Sequence, residues 1–599
     1  MRPLRLLCIG MVLVILVAGC RKHDPEPPGP AVAPTGVVRL KISPTWDGAP
    51  FDKQLQYTNV SDHRVLIQMV KFYLGDLVLS GPTGTTTLTS IDLFDITNGP
   101  QEGHYTAVPG IYDLLDLGVG VPYDLNHSDP SNYANEHPLS GSNGMYWTWA
   151  SRYRFVIFDG RYDTVAGTGV PPYVFSIHTG FDTCYRALQL PLSSILVADD
   201  DTVELELEVD LEQFFHNSTD TLVLNQTPQW HGEPRFGRAT WPKMSLNHLA
   251  PPRGLTLIEL LDVIALITIL VALLLLGCAK DPELIGVQDD APFAVMLPPG
   301  APALPVPEGN PLTVASVALG KALFFDKRLS VDGTIACGSC HFPAHAFSDT
   351  VALSAGVGGA LGFRNAPSLA NVAYHTNLMR DGGVPSLELQ VLVPLHDDVE
   401  MASNINDVAE RLRYDEPYRT LSMRAYDREL DGYVITRAIA SYERTLLSGW
   451  SRFDRYAHQG DQTALTAEEL HGWQLFSSAE LGCTNCHSGF DLRDDGFHNI
   501  GTSIDYADDE GRQRITLLDE DRGKFKVPTL RNLALTAPYM HDGSLATLEL
   551  VIDHFASGGL PHPNLSPLMQ PFTITALEKS DLIAFLHALT DDRSLDQVP

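Results

Sequence analysis

The stretches that decide the fold are IACGSCHFPAHAF, residues 335–347, and LGCTNCHSGF, residues 481–490. Each places two cysteines two residues apart from the next and a histidine directly after them: Cys337, Cys340 and His341 in the first, Cys483, Cys486 and His487 in the second. Two thiols at that spacing form thioethers to the vinyl groups of one haem, and the adjacent histidine becomes the proximal ligand of the iron. A single pattern of this kind arises by chance or as a thiol motif. Two in one chain point to two covalently bound haems c.

The sequence around both motifs is helical in period. VASVALGKALFF precedes the first and ALTAEELHGWQLF the second, and NDVAERLRY, VITRAIASYERTLL and EKSDLIAFLHAL also repeat apolar residues every three or four positions. A mostly α module of two cytochrome-c-like domains is expected, residues 279–450 with the CGSCH haem and 451–599 with the CTNCH haem.

Upstream, the period changes to two. VVRLKI from Val37, VLIQMVKFYLGDLVL from Val65, TLTSIDLFDI from Thr87, FVIFDG from Phe155 and VELELEVDL from Val203 are broken by Gly, Pro, Asn and Asp, the pattern of short strands. An all-β sandwich is expected over residues 36–243. Its unusual segment is GMYWTWASRYRF, residues 144–155, where alternation puts Trp147 and Trp149 on one face. His127 in GVPYDLNHSDP and His178 in FSIHTG are candidate imidazole ligands for copper, with Met145 as a soft neighbour. The competing interpretation is a core aromatic cluster beside two ordinary loop histidines.

Charge narrows the partners. The 599 residues carry a net charge of −32 at pH 7, a field that repels nucleic acid and anionic surfaces. Of eight cysteines, only Cys184 lies outside the haem motifs and the leader-like segments, so no disulfide framework is expected. The opening MRPLRLLCIGMVLVILVAGC (residues 1–20) reads as a lipoprotein signal peptide with lipidation at Cys20, and residues 21–35 as a Pro-rich tether. A second apolar run, within residues 244–278, ends in LLLLGC at Cys278 and reads as another signal-like segment with a second lipobox. Glu259 and Asp262 inside it make a lipid-facing span costly. Two accounts stay open: a second lipoprotein precursor beginning at Met244, read through or cut from the first, or one chain that persists as a fusion.

The LNH, MYWTWASRYRF and FSIHTG segments resemble the MbnP family, periplasmic copper-binding proteins found beside a dihaem enzyme that oxidises one of their tryptophans to kynurenine. The matched residues are His127, Trp147, Trp149 and His178. LGKALFFDKRLS, RDGGVPSLELQVLVPLHDDVEM and VPTLRNLALTAPYMHDGSLATLELVIDHF resemble the bacterial dihaem cytochrome c peroxidase and MauG superfamily, and within it the MbnH branch. That resemblance implies that His341 is the axial ligand of the peroxide-reacting haem and His487 that of the second. It also implies a distal pocket lined by Gln390, Pro394 and Glu400, with Glu400 moving a proton during O–O cleavage and Gln390 orienting peroxide. Thr536 and Pro538 fall where backbone oxygens hold a calcium ion between the haems in relatives.

The chain departs from the superfamily at three places. No histidine lies between His345 and His375 to close the first haem, Arg380 stands where relatives have a tryptophan between the haems, and Phe555 occupies the position of the second haem's distal ligand, leaving His554 or Met540. The expected function is peroxide-dependent oxidation of a tryptophan in the β module, in the service of copper binding, at the periplasmic face of a membrane through a lipid anchor. One alternative is a dihaem peroxidase that reduces hydrogen peroxide with electrons from a small cytochrome c. The other is a copper-binding, electron-transfer protein with no catalysis.

Overall fold

The computed structural model describes residues 35–134, 136–148, 152–165, 169–216, 221–226, 229–231, 243–249, 291–596 and 598. Cys20, Trp149 and Cys278 lie outside the described residues.

The first module is all β, as its alternating sequence requires. In the smaller sheet, β1 (Gly36–Trp46) lies between β4 (Gln101–Ala107), antiparallel to it, and β9 (Thr202–Asp210), parallel to it, and β9 carries β10 (Lys243–Leu249) on its far side. β10 runs across the boundary expected at Met244, so strand pairing of this module continues to Leu249. The larger sheet is ordered β8 (Arg186–Val197), β5 (Gly110–Val119), β2 (Arg64–Gly81), β6 (Val156–Asp163), β7 (Tyr173–Thr179). The hairpin strand β3 (Gly84–Asp95) also pairs with the long β2.

Period-two sequence accounts for the packing. In β9, Val203, Leu205, Leu207 and Val209 are buried while the glutamates between them are half-buried. Those glutamates meet the basic residues of β1 in register: Arg39 pairs with Glu204 at 2.6 Å and Lys41 with Glu206 at 2.7 Å. The inner faces of the two sheets enclose one apolar core that includes Leu40, Ile42, Leu77, Leu115, Phe158 and Leu205. A second cluster of Tyr73, Leu139, Met145, Tyr146, Tyr153, Phe155 and Cys184 forms beneath the aromatic segment. The expected β-sandwich is borne out.

The second module is helical and uses one packing device twice. α1 (Val314–Phe324) crosses α6 (Gly432–Glu443), and α8 (Ala467–Phe476) crosses α10 (Ala576–His587). At the first crossing a methyl on Gly320 would run into the Ala438 carbonyl, and at the second a methyl on Gly472 would run into the Asp581 carbonyl. Four residues after each glycine comes a buried phenylalanine, Phe324 and Phe476, with Tyr442 and Phe585 as the respective aromatic partners. One apolar cluster includes Leu319, Phe347, Val434, Ile439 and Leu446; a separate one includes Phe453, Phe476, Leu492, Leu582 and Phe585. One core lies in each of the CGSCH and CTNCH halves, and the fully buried pair of Arg531 with Asp454, two hydrogen bonds of 2.9 Å each, lies within the second. Among the described residues no helix is long and apolar enough to cross a membrane.

Candidate active site

Each CxxCH motif folds into a single 3-10 turn, Cys337–Ser339 and Cys483–Asn485, followed by the histidine. The turn is closed by the histidine amide, which donates to the carbonyl of the first cysteine, at 3.0 Å for His341 and 2.9 Å for His487. Side-chain geometry is matched too. His341 Nδ1 bonds the Phe347 carbonyl at 2.8 Å and His487 Nδ1 bonds the Leu492 carbonyl at 3.1 Å. A carbonyl only accepts, so the proton sits on Nδ1 and Nε2 keeps its lone pair. Burial pushes both imidazoles below their ordinary range, which keeps them neutral as metal ligation requires. Burial also lifts the thiols of Cys340, Cys483 and Cys486 to about 11, with Cys337 shifted upward as well. A redox-active CxxC pair needs the opposite shift. The residues therefore fit two haems c.

The expected distal wall of the first haem is built from two short helices and a loop. α2 (Leu387–Gln390), started by the Ser386 cap, runs through helical Val391 into α3 (Leu392–His396), so Gln390 and Pro394 sit one turn apart on one face. The chain then turns back, with Glu400 N–H donating to the Asp397 carbonyl at 3.1 Å and Met401 N–H to the Pro394 carbonyl at 3.2 Å. Pro394 and Glu400 are thus held by one loop. Glu400 interacts electrostatically with the thiols of both Cys337 and Cys340, which puts its carboxyl on the side of the first haem motif. Burial, with Asp397 adding to it, raises that carboxyl to about 7.

Sequence reasoning missed a second acid. Glu443, at the end of α6, is 4 % exposed and titrates at about 8, because burial outweighs the opposing Arg444 while Glu388 adds to the rise. It too interacts with the Cys337 thiol. The signal was an acidic residue inside the apolar run AIASYERTLL.

Between the two halves lies buried positive charge. Arg380 donates through Nη2 to the Asn365 carbonyl at 3.2 Å and to Asn365 Oδ1 at 3.0 Å, and burial, with Arg364 nearby, pushes it down to about 10. Arg364 is itself bound to Asp381 and Asp509. Lys526 Nζ reaches His375 Nδ1 at 3.1 Å and the Asn377 carbonyl at 2.8 Å, and burial beside Arg493 and Arg380 brings it down to about 7. Thr536 and Pro538 belong to the neighbouring turn, whose His541 ring stacks on Phe525 at 3.7 Å and interacts with Arg380.

The second haem's distal candidates are not brought together. His554, on α9 (Leu548–Ser557), directs Nε2 at the Ile500 carbonyl at 2.9 Å, while Met540 lies on the 532–545 turn with φ 80°. Phe555 is half-buried next to His554.

In the β module Trp147 and Met145 are buried, at 2 % and 1 % exposure. Trp147 packs against Gly180 and the Phe181 ring. His178 is buried and bonds Asp159 at 2.9 Å, holding that carboxyl below its ordinary range although burial opposes the shift. His127 is held instead by the Tyr123 carbonyl at 2.8 Å, with Asp182 3.6 Å away. The two histidines are therefore tied to different carboxylates. Among the described residues the one set of three close His, Cys, Asp or Glu ligand atoms is Cys486, Asp494 and His498, and its cysteine belongs to a haem motif.

Comparison with known proteins follows the division between the modules. Residues 314–463 match the family model for di-haem cytochrome c peroxidase, and residues 35–231 match the MbnP model. The methylamine utilization protein MauG of Methylorubrum extorquens is 39 % identical over 301 residues, covering 50 % of this chain and 84 % of that protein. The cytochrome c551 peroxidase of Nitrosomonas europaea is 34 % identical, covering 50 % of this chain and 86 % of its own. A crystal structure described as a MauG-like protein associated with microbial copper homeostasis aligns with a TM-score of 0.47 at 35 % identity, over 54 % of this chain and 98 % of its own.

Proposed function

The chain belongs to the di-haem cytochrome c peroxidase family, and from that premise we propose that it uses hydrogen peroxide to oxidise a tryptophan of its own β module, Trp147 or Trp149, to kynurenine. The observation that carries this reading is the presence, on one chain, of a peroxidase-type haem module and an MbnP-type module with a buried aromatic segment. The oxidation balances with peroxide alone. Two hydrogen peroxides convert one tryptophan to N-formylkynurenine with release of two waters, and hydrolysis then gives kynurenine and formate.

Two haems c on Cys337, Cys340 and His341 and on Cys483, Cys486 and His487 would supply the iron that receives peroxide and the storage of oxidising equivalents. The protein's own residues handle protons and access. Glu400, half-buried and titrating at about 7, takes a proton from the near peroxide oxygen and returns it to the departing one. Gln390, one helical turn from Pro394, orients the peroxide. Neutral His341, oriented by the Phe347 carbonyl, would offer Nε2 to the iron. Trp147, at 2 % exposure, is too deeply packed to enter such a pocket, so its oxidation in this reading runs by electron transfer across the protein.

In this reading copper is bound in the β module with His127, His178 and Met145 as ligands, and calcium at Thr536 and Pro538. Lipid anchors at Cys20 and Cys278 would hold the protein at the periplasmic face of a membrane. Relatives that are cytochrome c peroxidases favour a second reading, reduction of peroxide with electrons from a small cytochrome c. A peroxide titration of the haem-loaded chain without an external donor separates the two. The proposal predicts an intact mass that rises by oxygen incorporation and a rise that is lost in the Trp147→Phe, Trp149→Phe double variant. An unchanged mass together with rapid oxidation of reduced cytochrome c establishes the second reading.

A further inference from the structure

The β module and the haem module meet on a polar surface centred on Arg437, in the middle of α6. Arg437 Nη2 donates to Asp129 Oδ2 at 3.0 Å and to Asn132 Oδ1 at 3.1 Å, and Nη1 donates to Ser131 Oγ at 2.9 Å. All three acceptors sit on one 3-10 turn, Pro130–Asn132, with Asp129 as its cap. The guanidinium carbon lies over Tyr433, 3.7 Å from the ring centre. Its side chain is 11 % exposed and that of Asp129 is 15 % exposed.

A buried guanidinium is costly unless its donors are matched. Within its own module Arg437 donates only to Thr436 Oγ1, at 3.2 Å, among the described residues. Its one carboxylate partner and its amide partner both come from the β module. The helix face is therefore complementary to this particular turn.

Two further contacts extend the surface toward the peroxide pocket. The Gly141–Asn143 turn packs on α4 (Ile405–Leu412), where Gly141 approaches Ile405, 2 % exposed. The Ile405 amide in turn donates to His396 Nε2 at 3.2 Å, at the end of the helix that carries Pro394. Arg154, seven residues after Trp147, bonds the Gly144 carbonyl and interacts with His396, at the end of α3, and with Asp398, on the loop that carries Glu400.

We propose that this surface is the docking site by which the haem module holds the β module, with Arg437 as its positioning residue. The segment that carries Trp147 is thereby tied, through Arg154, to the outer wall made by α3 and the Glu400 loop. The purpose assigned to the docking rests on the tryptophan reading above, whereas the docking itself does not. It holds equally for one chain and for two products separated at the joining segment.

The test uses the full haem-loaded chain with a protease site inserted within residues 279–290, which lie outside the described residues. After cleavage the halves are expected to co-elute. Arg437→Glu is expected to weaken their association at least tenfold, and adding Asp129→Arg to that variant is expected to restore it by exchanging the charges. Rescue by the exchanged pair is something a merely destabilised helix does not show. Tryptophan oxygenation by peroxide is followed in the same samples and is expected to fall and recover with association. Halves that separate in the unaltered protein, or that stay together equally well with Arg437→Glu, overturn the docking site. Arg437-dependent association in a protein whose tryptophans never change supports the docking site and defeats the tryptophan reading alone.

Discussion

Glu400 is a half-buried acid and Asp454 a fully buried one, and their surroundings set them to opposite tasks. Among the described residues no cation offsets Glu400, so burial and Asp397 lift it to about 7. It must be ionised to accept the first proton from peroxide. Turnover is therefore expected to rise as pH increases through about 7 and to level above it. Glu400→Gln is expected to lower peroxide turnover by about a hundredfold to ten-thousandfold and to flatten this profile. A variant that keeps the inflection would assign it to another group, and Glu443, at about 8, is the one to examine next. Asp454, in contrast, is held below its ordinary range: burial opposes that shift, and two hydrogen bonds from Arg531 overcome it. Asp454→Ala strands a fully buried guanidinium and is expected to cost about 3–5 kcal/mol, read from the denaturant midpoint of the haem-loaded protein. Removing Glu416 from its exposed pair with Arg419 is expected to leave the midpoint in place.

Among the elements, the two haem halves are legible in the sequence to different depths. The CxxCH motifs announce their own chemistry, because a thioether pair and an axial histidine need fixed spacing, and the period of the flanking helices follows from one buried face. The glycine crossings lie deeper. LGKALFF and HGWQLF share a glycine four residues before a phenylalanine, but nothing local says that another helix's backbone passes over that glycine. Gly320→Ala and Gly472→Ala are each expected to destabilise the protein by about 1–3 kcal/mol through overpacking, with the loss seen as a lower thermal midpoint. Wild-type midpoints in both would mean that the helices can move apart freely. Arg437 was illegible for a related reason. A charge on a helix reads as a solvated face, and here its partners come from a turn some three hundred residues earlier in the chain. Phe555 marks the reverse case, where the sequence identifies a missing ligand and the geometry does not replace it: His554 is committed to the Ile500 carbonyl.

The proposed docking sets a strand-rich module with a buried tryptophan against α3 and the loop that carries Glu400, whose carboxyl is raised to about 7. Composition foretold part of this. A net charge of −32 repels polyanions, and the change of period from two to three or four located the two modules. Their joint could not be read, because the contacts cross the apolar run that the sequence presents as a seam. The central claim is that peroxide chemistry in the haem module ends on a tryptophan of the β module. Its most direct test is peptide mass spectrometry of the Gly144–Phe155 segment from the haem-loaded chain, with and without hydrogen peroxide. The account predicts a peroxide-dependent, kynurenine-type mass at Trp147 or Trp149. Both tryptophans unmodified, in a protein that turns over peroxide steadily with reduced cytochrome c, would contradict it.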